Sequence, residues 1–162
     1  MDFGGGRYNM GMNIKAYNGK DKATVLQLFQ LNTPKYFSVN EKNDYVYFLN
    51  HFIENYFVVE CAGTVVGCGG FNIAEDGVTA KISWDIIHPD YHGKGIGTAL
   101  TKYRIELIKK NPEIKFISVR TSQLVYPFYE RFGLEIEEII QDYWDIGFDM
   151  YKLSNTVECV KH

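Results

Sequence analysis

The segment His92-Gly93-Lys94-Gly95-Ile96-Gly97 restricts what this chain can fold into more than any other stretch. It follows a strand-like run that ends at Pro89, and it opens a helix-like pattern. Glycine lets a backbone turn sharply and approach a ligand closely. A helix start leaves amide N–H groups unpaired and carries partial positive charge, to which Lys94 adds a full one. A turn of this kind reads as a phosphate cradle; the plainer reading is a connector that binds nothing. A dinucleotide fingerprint, G-x-G-x-x-G, fails because Thr98 and Leu100 stand where its last glycine would be. A P-loop fails at both ends, with His88 at its first glycine and Gly95 after the lysine.

The flanks set the fold class. Val78, Ala80, Ile82, Trp84 and Ile86 alternate with Thr79, Lys81, Ser83 and Asp85, which predicts an amphipathic strand over 78–87 with Asp85 on its polar face. After the turn, Ile96, Leu100, Tyr103 and Leu107 form a helical stripe that Asn111-Pro112 stops. Upstream, 13–17 reads as a short strand. A helix is expected from Asp21, as a capping residue, to Leu31, and another over 41–53 with Phe48 and Phe52 in the core. Residues 56–61 and 64–70 read as a hairpin. Downstream come a strand at 114–119, a short helix at 124–131 and an antiparallel pair at 135–140 and 149–153. The order β-α-α-β-β-β-α-β-α-β-β is a mixed α/β class, also describable as α+β.

Composition narrows the function. A chain of 162 residues without repeats or linkers is one domain, expected over 13–153 between a flexible leader (1–12) and tail (154–162). A net charge of −3 argues against nucleic-acid binding. Cys61, Cys68 and Cys159 contain no CxxC pair, so no disulfide framework or zinc site is expected, and a reducing, cytoplasmic setting suits them. No apolar run approaches a membrane span or signal peptide, so no membrane partner is expected. His88 and His92 are four apart, but Pro89 argues against the helix a metal pair would need; no metal is expected.

The run from His88 to Leu100 closely resembles the acetyl-CoA signature of the GNAT acetyltransferase superfamily, Arg or Gln followed by x-x-Gly-x-Gly or Ala. His92 stands in the Arg/Gln place. Ser122 to Leu134, containing Phe128-Tyr129-Glu130-Arg131-Phe132-Gly133-Leu134, resembles that family's second motif. The resemblance implies a mixed, mostly antiparallel sheet flanked by about four helices and splayed where acetyl-CoA enters. It further implies phosphate contacts at His92, Gly93, Lys94, Gly95, Ile96, Gly97 and Thr98. Pantetheine contacts would come from Ile86, Ile87 and His88, with Ser122 also at the cofactor. Histidine in place of arginine makes a modest, pH-sensitive contribution the expectation.

The implied chemistry is direct transfer of an acetyl group to a primary amine of a small molecule or peptide. Tyr129 is the expected general acid, and Asp85 or Glu60 the candidate base. A non-catalytic acyl-CoA-binding module on the same fold is the alternative; an atypical nucleotide-binding domain is a third reading. Tyr36, Tyr143 and Trp144 are expected at the acceptor rim. Six acidic residues between Phe132 and Asp149, with no basic one, would give an acidic wall favouring a cationic amine. Edge strands leave room for a homodimer.

Overall fold

The computed structural model describes residues 11–161; residues 1–10 of the expected leader lie outside them. In chain order the elements are β1 (Met12–Ala16), α1 (Lys22–Leu31), α2 (Lys42–His51), β2 (Asn55–Cys61), β3 (Thr64–Ile73), β4 (Thr79–Ile87), α3 (Ile96–Lys109), β5 (Phe116–Thr121), α4 (Tyr126–Glu130), β6 (Glu135–Asp145) and β7 (Phe148–Thr156). The strands form one mixed sheet in the order β1-β2-β3-β4-β5-β7-β6. Only β4 and β5 run parallel; every other neighbouring pair is antiparallel.

Alternation along the central strands divides the core in two. Phe57 and Val59 of β2 join Ile96, Leu100, Ile105 and Ile108 of α3 and Tyr129 of α4 on one face. Tyr56 and Val58 join Val25, Leu28 and Phe29 of α1 and Tyr45, Phe48 and Leu49 of α2 on the other.

The strand with the cleanest alternation does not stay alternating. Cys68 pairs with Ile86 and Gly70 with Ser83, so Gly69 alone faces both Trp84 and Asp85. Trp84 takes a left-handed φ of 41° at this bulge. An extra residue reverses the parity of everything after it. Ala80 and Ile82 therefore point to the α3 side, whereas Trp84 and Ile86 point to the α1/α2 side. Asp85, expected on the polar face, turns into the α3/α4 core.

Other boundaries shift for local reasons. Asp21 does not cap α1; its carboxylate accepts from the Asn18 N–H (3.0 Å) in a capping box around the 3-10 turn Gly19–Asp21. α2 ends at His51, which leaves Phe52 53% exposed rather than in the core. The tail expected to be unordered from Ser154 is instead strand to Thr156, because β5 pairs with it as far as Phe116↔Thr156. A 3-10 turn follows, Val160 is buried, and the Lys161 N–H reaches the Phe132 carbonyl (2.8 Å). Among the described residues no helix is long and apolar enough to cross a membrane.

Candidate functional site

β4 and β5 pair only over Thr79–Lys81 and Phe116–Ser118, then part. The parting opens a cleft of about 1230 Å³ that runs to both faces of the sheet. Ile86, Ile87, His92, Gly93, Lys94, Gly95, Ile96, Gly97, Thr98 and Ser122 all line it, as do Asp85, Tyr129, Tyr36 and Trp144. The sequence expectation thus places most of its candidates in one cavity.

The glycine turn forms the wall at the end of β4. Gly93 and Gly95 have φ of +74° and +87°, values an L-residue with a side chain adopts only at a cost. Gly95 is the N-cap of α3 and, as glycine, has no side chain with which to cap its first turn. The amides of that turn are therefore open to an anion, with Lys94 exposed beside them. Gly97 is already helical, and a Cβ there would only touch the Phe128 ring at 3.5 Å.

His92 packs edge-on against Tyr36, with ring centroids 5.0 Å apart. Its Nε2 donates to the Ile87 carbonyl (2.8 Å), since that oxygen can only accept. The same oxygen accepts from Nδ2 of buried Asn32 (3.0 Å), so this carbonyl, expected to pair with ligand, is already bonded twice. His88 sits off the lining; its Nδ1 accepts from the Asp90 N–H (3.0 Å) and caps the turn below.

At the bulge, Arg104 of α3 is fully buried and holds Asp85 with both Nη atoms, Nη2 at 2.8 Å from Oδ2. Arg104 also donates to the Gly70 carbonyl (3.2 Å) and Thr101 Oγ1 (3.0 Å). Tyr129, only 3% exposed, donates its hydroxyl to Asp85 Oδ2 (2.5 Å). Burial, and then the neighbouring carboxylate, raise the Tyr129 pKa well above the usual tyrosine value, so the phenol stays protonated. Burial alone would lower the Arg104 pKa; the Asp85 carboxylate overrides it and raises it. Gly69 makes room for this triad, because a Cβ there would lie 2.1 Å from Asp85 Oδ1.

Several candidates fall elsewhere. Glu60, on β2, pairs with Lys15 (2.8 Å) and does not line the cleft. Asp85 has both oxygens occupied. Its carboxylate is held by the Arg104 guanidinium and accepts from the Tyr129 hydroxyl, at the wall of the cleft. Tyr143 is 44% exposed and stacks edge-on against Trp144, outside the cleft. None of the six C-terminal acidic residues lines the cavity, so the expected acidic wall is not there. They spread along edge strand β6 and its hairpin instead. Asp145 there accepts from Ser38 Oγ (2.5 Å) and Asn40 Nδ2 (2.7 Å), tying the hairpin to the start of α2.

Sequence reading missed three contributors. Arg104 was not singled out, although it is four residues from Leu100 on the buried face. Asn32 scored as a helix stop. Glu41 is buried and lines the cleft, and burial raises its pKa against the lowering effect of the Ser38 N–H. The Ser38-x-x-Glu41 spacing, a capping-box signature, could have flagged it.

The family described as acetyltransferase (GNAT) matches residues 25–134. An acetyltransferase of Sodalis glossinidius is 32% identical over 96 residues, covering 57% of this chain and 65% of that relative. The chain spans less than two thirds of the length of the curated relatives it matches. Ribosomal-protein-S18-alanine N-acetyltransferase from Escherichia coli shares the fold, with TM-score 0.73 and 17% identity over 90% of this chain and 94% of that one. So does an aminoglycoside 6'-N-acetyltransferase complexed with coenzyme A, with TM-score 0.69 and 14% identity over 90% and 97%.

Proposed function

The chain belongs to the acetyltransferase (GNAT) family, and from that premise we propose that it is an acetyl-CoA-dependent N-acetyltransferase acting on a primary amine. The observation that carries the reading is the cleft between β4 and β5, with an uncapped helix start at one end and the Tyr129–Asp85–Arg104 triad at the bulge. The residues present fit the cosubstrate. Amides of Gly93 to Gly97 and Lys94 suit its phosphates, and the largely apolar lining of the cleft suits its arm. When bound, acetyl-CoA supplies the activated acyl group.

The chain's own residues do the rest. Tyr129 holds a proton at its hydroxyl, on the cleft lining, where a departing thiolate needs one. Asp85 and Arg104 fix that hydroxyl in place. Glu41 is the cleft carboxylate that burial makes more basic, and we assign it the proton leaving the amine, directly or through water. Trp144, bonded through Nε1 to the Thr121 carbonyl (3.2 Å), and Tyr36 are aromatic parts of the lining against which an acceptor can pack.

The test combines acetyl-CoA calorimetry with a thiol-release screen over polyamines, amino acids, aminoglycosides and N-terminal peptides. Micromolar binding with turnover of at least one amine class is expected. Binding without thiol release would make the chain a non-catalytic acyl-CoA module. Stabilisation by ATP or NAD but not acetyl-CoA would overturn the reading.

A further inference from the structure

This inference rests on the acetyltransferase reading and names the class of its acceptor. Beyond α2, the sheet face on the α1/α2 side carries a row of cations. Lys81 of β4, Arg120 of β5 and Lys152 of β7 all line the cleft. Pairing keeps them adjacent. Lys81 is level with Ser118, two residues before Arg120, and Arg120 is directly opposite Lys152. Ala80, Ile82, Ile117, Val119 and Leu153 point into the α3 core, so alternation turns the three cations to the other face. Buried Ser83 and Ser118 lie between them on the cleft lining. Lys152 has Glu137 at 4.0 Å, and Lys81 acts on Asp76. Among the described residues Arg120 has no ion pair.

This row is separate from Lys94 and Arg131, which stand at the cofactor end of the cleft. It lies on the acceptor side, on the face that Glu41 also borders. We propose that the acceptor carries an acid group besides its amine, and that Lys81, Arg120 and Lys152 receive that group. A guanidinium offers a carboxylate or phosphate a bidentate fork, with the ammonium groups as supporting charges. Lys81 stands three residues along β4 from Trp84 at the bulge, about 10 Å at roughly 3.3 Å per residue. The amine and the acid are therefore several bonds apart. A small ω-amino acid and a peptide with acidic residues behind its N-terminus share this chemistry.

Matched pairs separate the two sources: 6-aminohexanoate against its amide, and an Ala-Asp-Asp peptide amide against Ala-Asn-Asn. In thiol-release assays the acid member of at least one pair should show about ten-fold or higher kcat/KM. Arg120→Gln, and Arg120→Gln with Lys81→Gln, should bring the acid-to-amide ratio towards one through KM, with the melting temperature as the control for folding. Calorimetry of the same pairs, with and without coenzyme A, reads the subsite without turnover. Equal affinities within both pairs, or a preference that survives the double variant, overturns the proposal. Acid-selective binding with no thiol release from any amine would instead sink the acetyltransferase reading while leaving the subsite standing.

Discussion

Two buried polar clusters meet back to back at the β3/β4 bulge, one on each face of the sheet. On the α1/α2 side, the Tyr45 and Tyr56 hydroxyls lie 2.8 Å apart and both contact Cys68 Sγ, at 3.4 and 3.3 Å. Tyr56 also donates to the Trp84 carbonyl (2.7 Å). Every member is neutral. On the α3/α4 side, Asp85, Arg104 and Tyr129 form a charged cluster in which Arg104 Nε has no hydrogen-bond partner among the described residues. A neutral network is cheap to bury once its bonds are made, whereas a charge pair is costly even when well made. The expensive cluster is the one that borders the cleft. The cheap one backs it, holding the carbonyl side of the bulge while the triad holds the carboxylate side. Fold and chemistry are divided between two faces of the same two residues, Trp84 and Asp85.

Breaking the charged cluster should therefore have the largest effect. Asp85→Ala leaves Arg104 buried without a counter-charge and should cost about 3–5 kcal/mol of unfolding free energy. Removing both partners, as Asp85→Ala with Arg104→Met, should recover much of that. Urea unfolding of the two variants checks this; equal losses would mean that the pair is not the source of the cost.

Tyr129→Phe separates support from chemistry within the same cluster. The lost hydrogen bond to a charged group should cost roughly 1.5–3 kcal/mol of stability. If Tyr129 delivers the proton, turnover should fall about 10²–10⁴-fold with acetyl-CoA affinity nearly constant. An unchanged rate in a folded variant would reduce Tyr129 to a structural partner of Asp85.

The neutral cluster answers to alkali instead. Burial pushes the Cys68 thiol up to about 11 and raises Tyr45 and Tyr56 well above the ordinary tyrosine range. The folded chain holds these protons more tightly than the unfolded one. The stability they contribute is complete below about pH 9 and drains away as pH rises towards and past 11. Melting temperatures between pH 8 and 11 should fall accordingly, and Cys68→Ala should delay the onset. A flat profile would show that these groups are solvated.

The same division explains what could be read in the sequence. Gly93 and Gly95 were legible because their role is a backbone conformation that residue type alone dictates. The alternation of β4 was legible, but its bulge was not: Trp84 and Asp85 look like the next two steps of the pattern, and only pairing with Gly69 across the sheet breaks it. Arg104 was hidden because binary patterning assigns charge to the surface, and its burial depends on Asp85, nineteen positions away. Phe52 erred the other way, apolar at a core spacing but beyond the last turn of α2. The acidic run from Phe132 to Asp149 suggested a wall, but sequence cannot show that β6 is an edge strand, separated from β5 and the cleft by β7. Local conformation was readable; features that exist only through a partner across the sheet were not.

The smallest expected effect sharpens the comparison furthest. His92 lines the cleft with Asp85 and Tyr129, yet its bond to the Ile87 carbonyl is exposed. If proximity to the cleft set the size of an effect, His92→Ala would rival Asp85→Ala. If charge and burial set it, His92→Ala should lose only one ordinary hydrogen bond, about 0.5–1.5 kcal/mol, weakening acetyl-CoA binding roughly 2–10-fold. Asn32 still occupies the Ile87 carbonyl, so the end of β4 should keep its place. His92→Gln retains a donor at similar reach and should restore part of the loss. Calorimetry on both variants decides between the two accounts: a loss above about a hundred-fold in His92→Ala would put His92 on the phosphates themselves, and no loss at all would leave the turn held by its glycines alone.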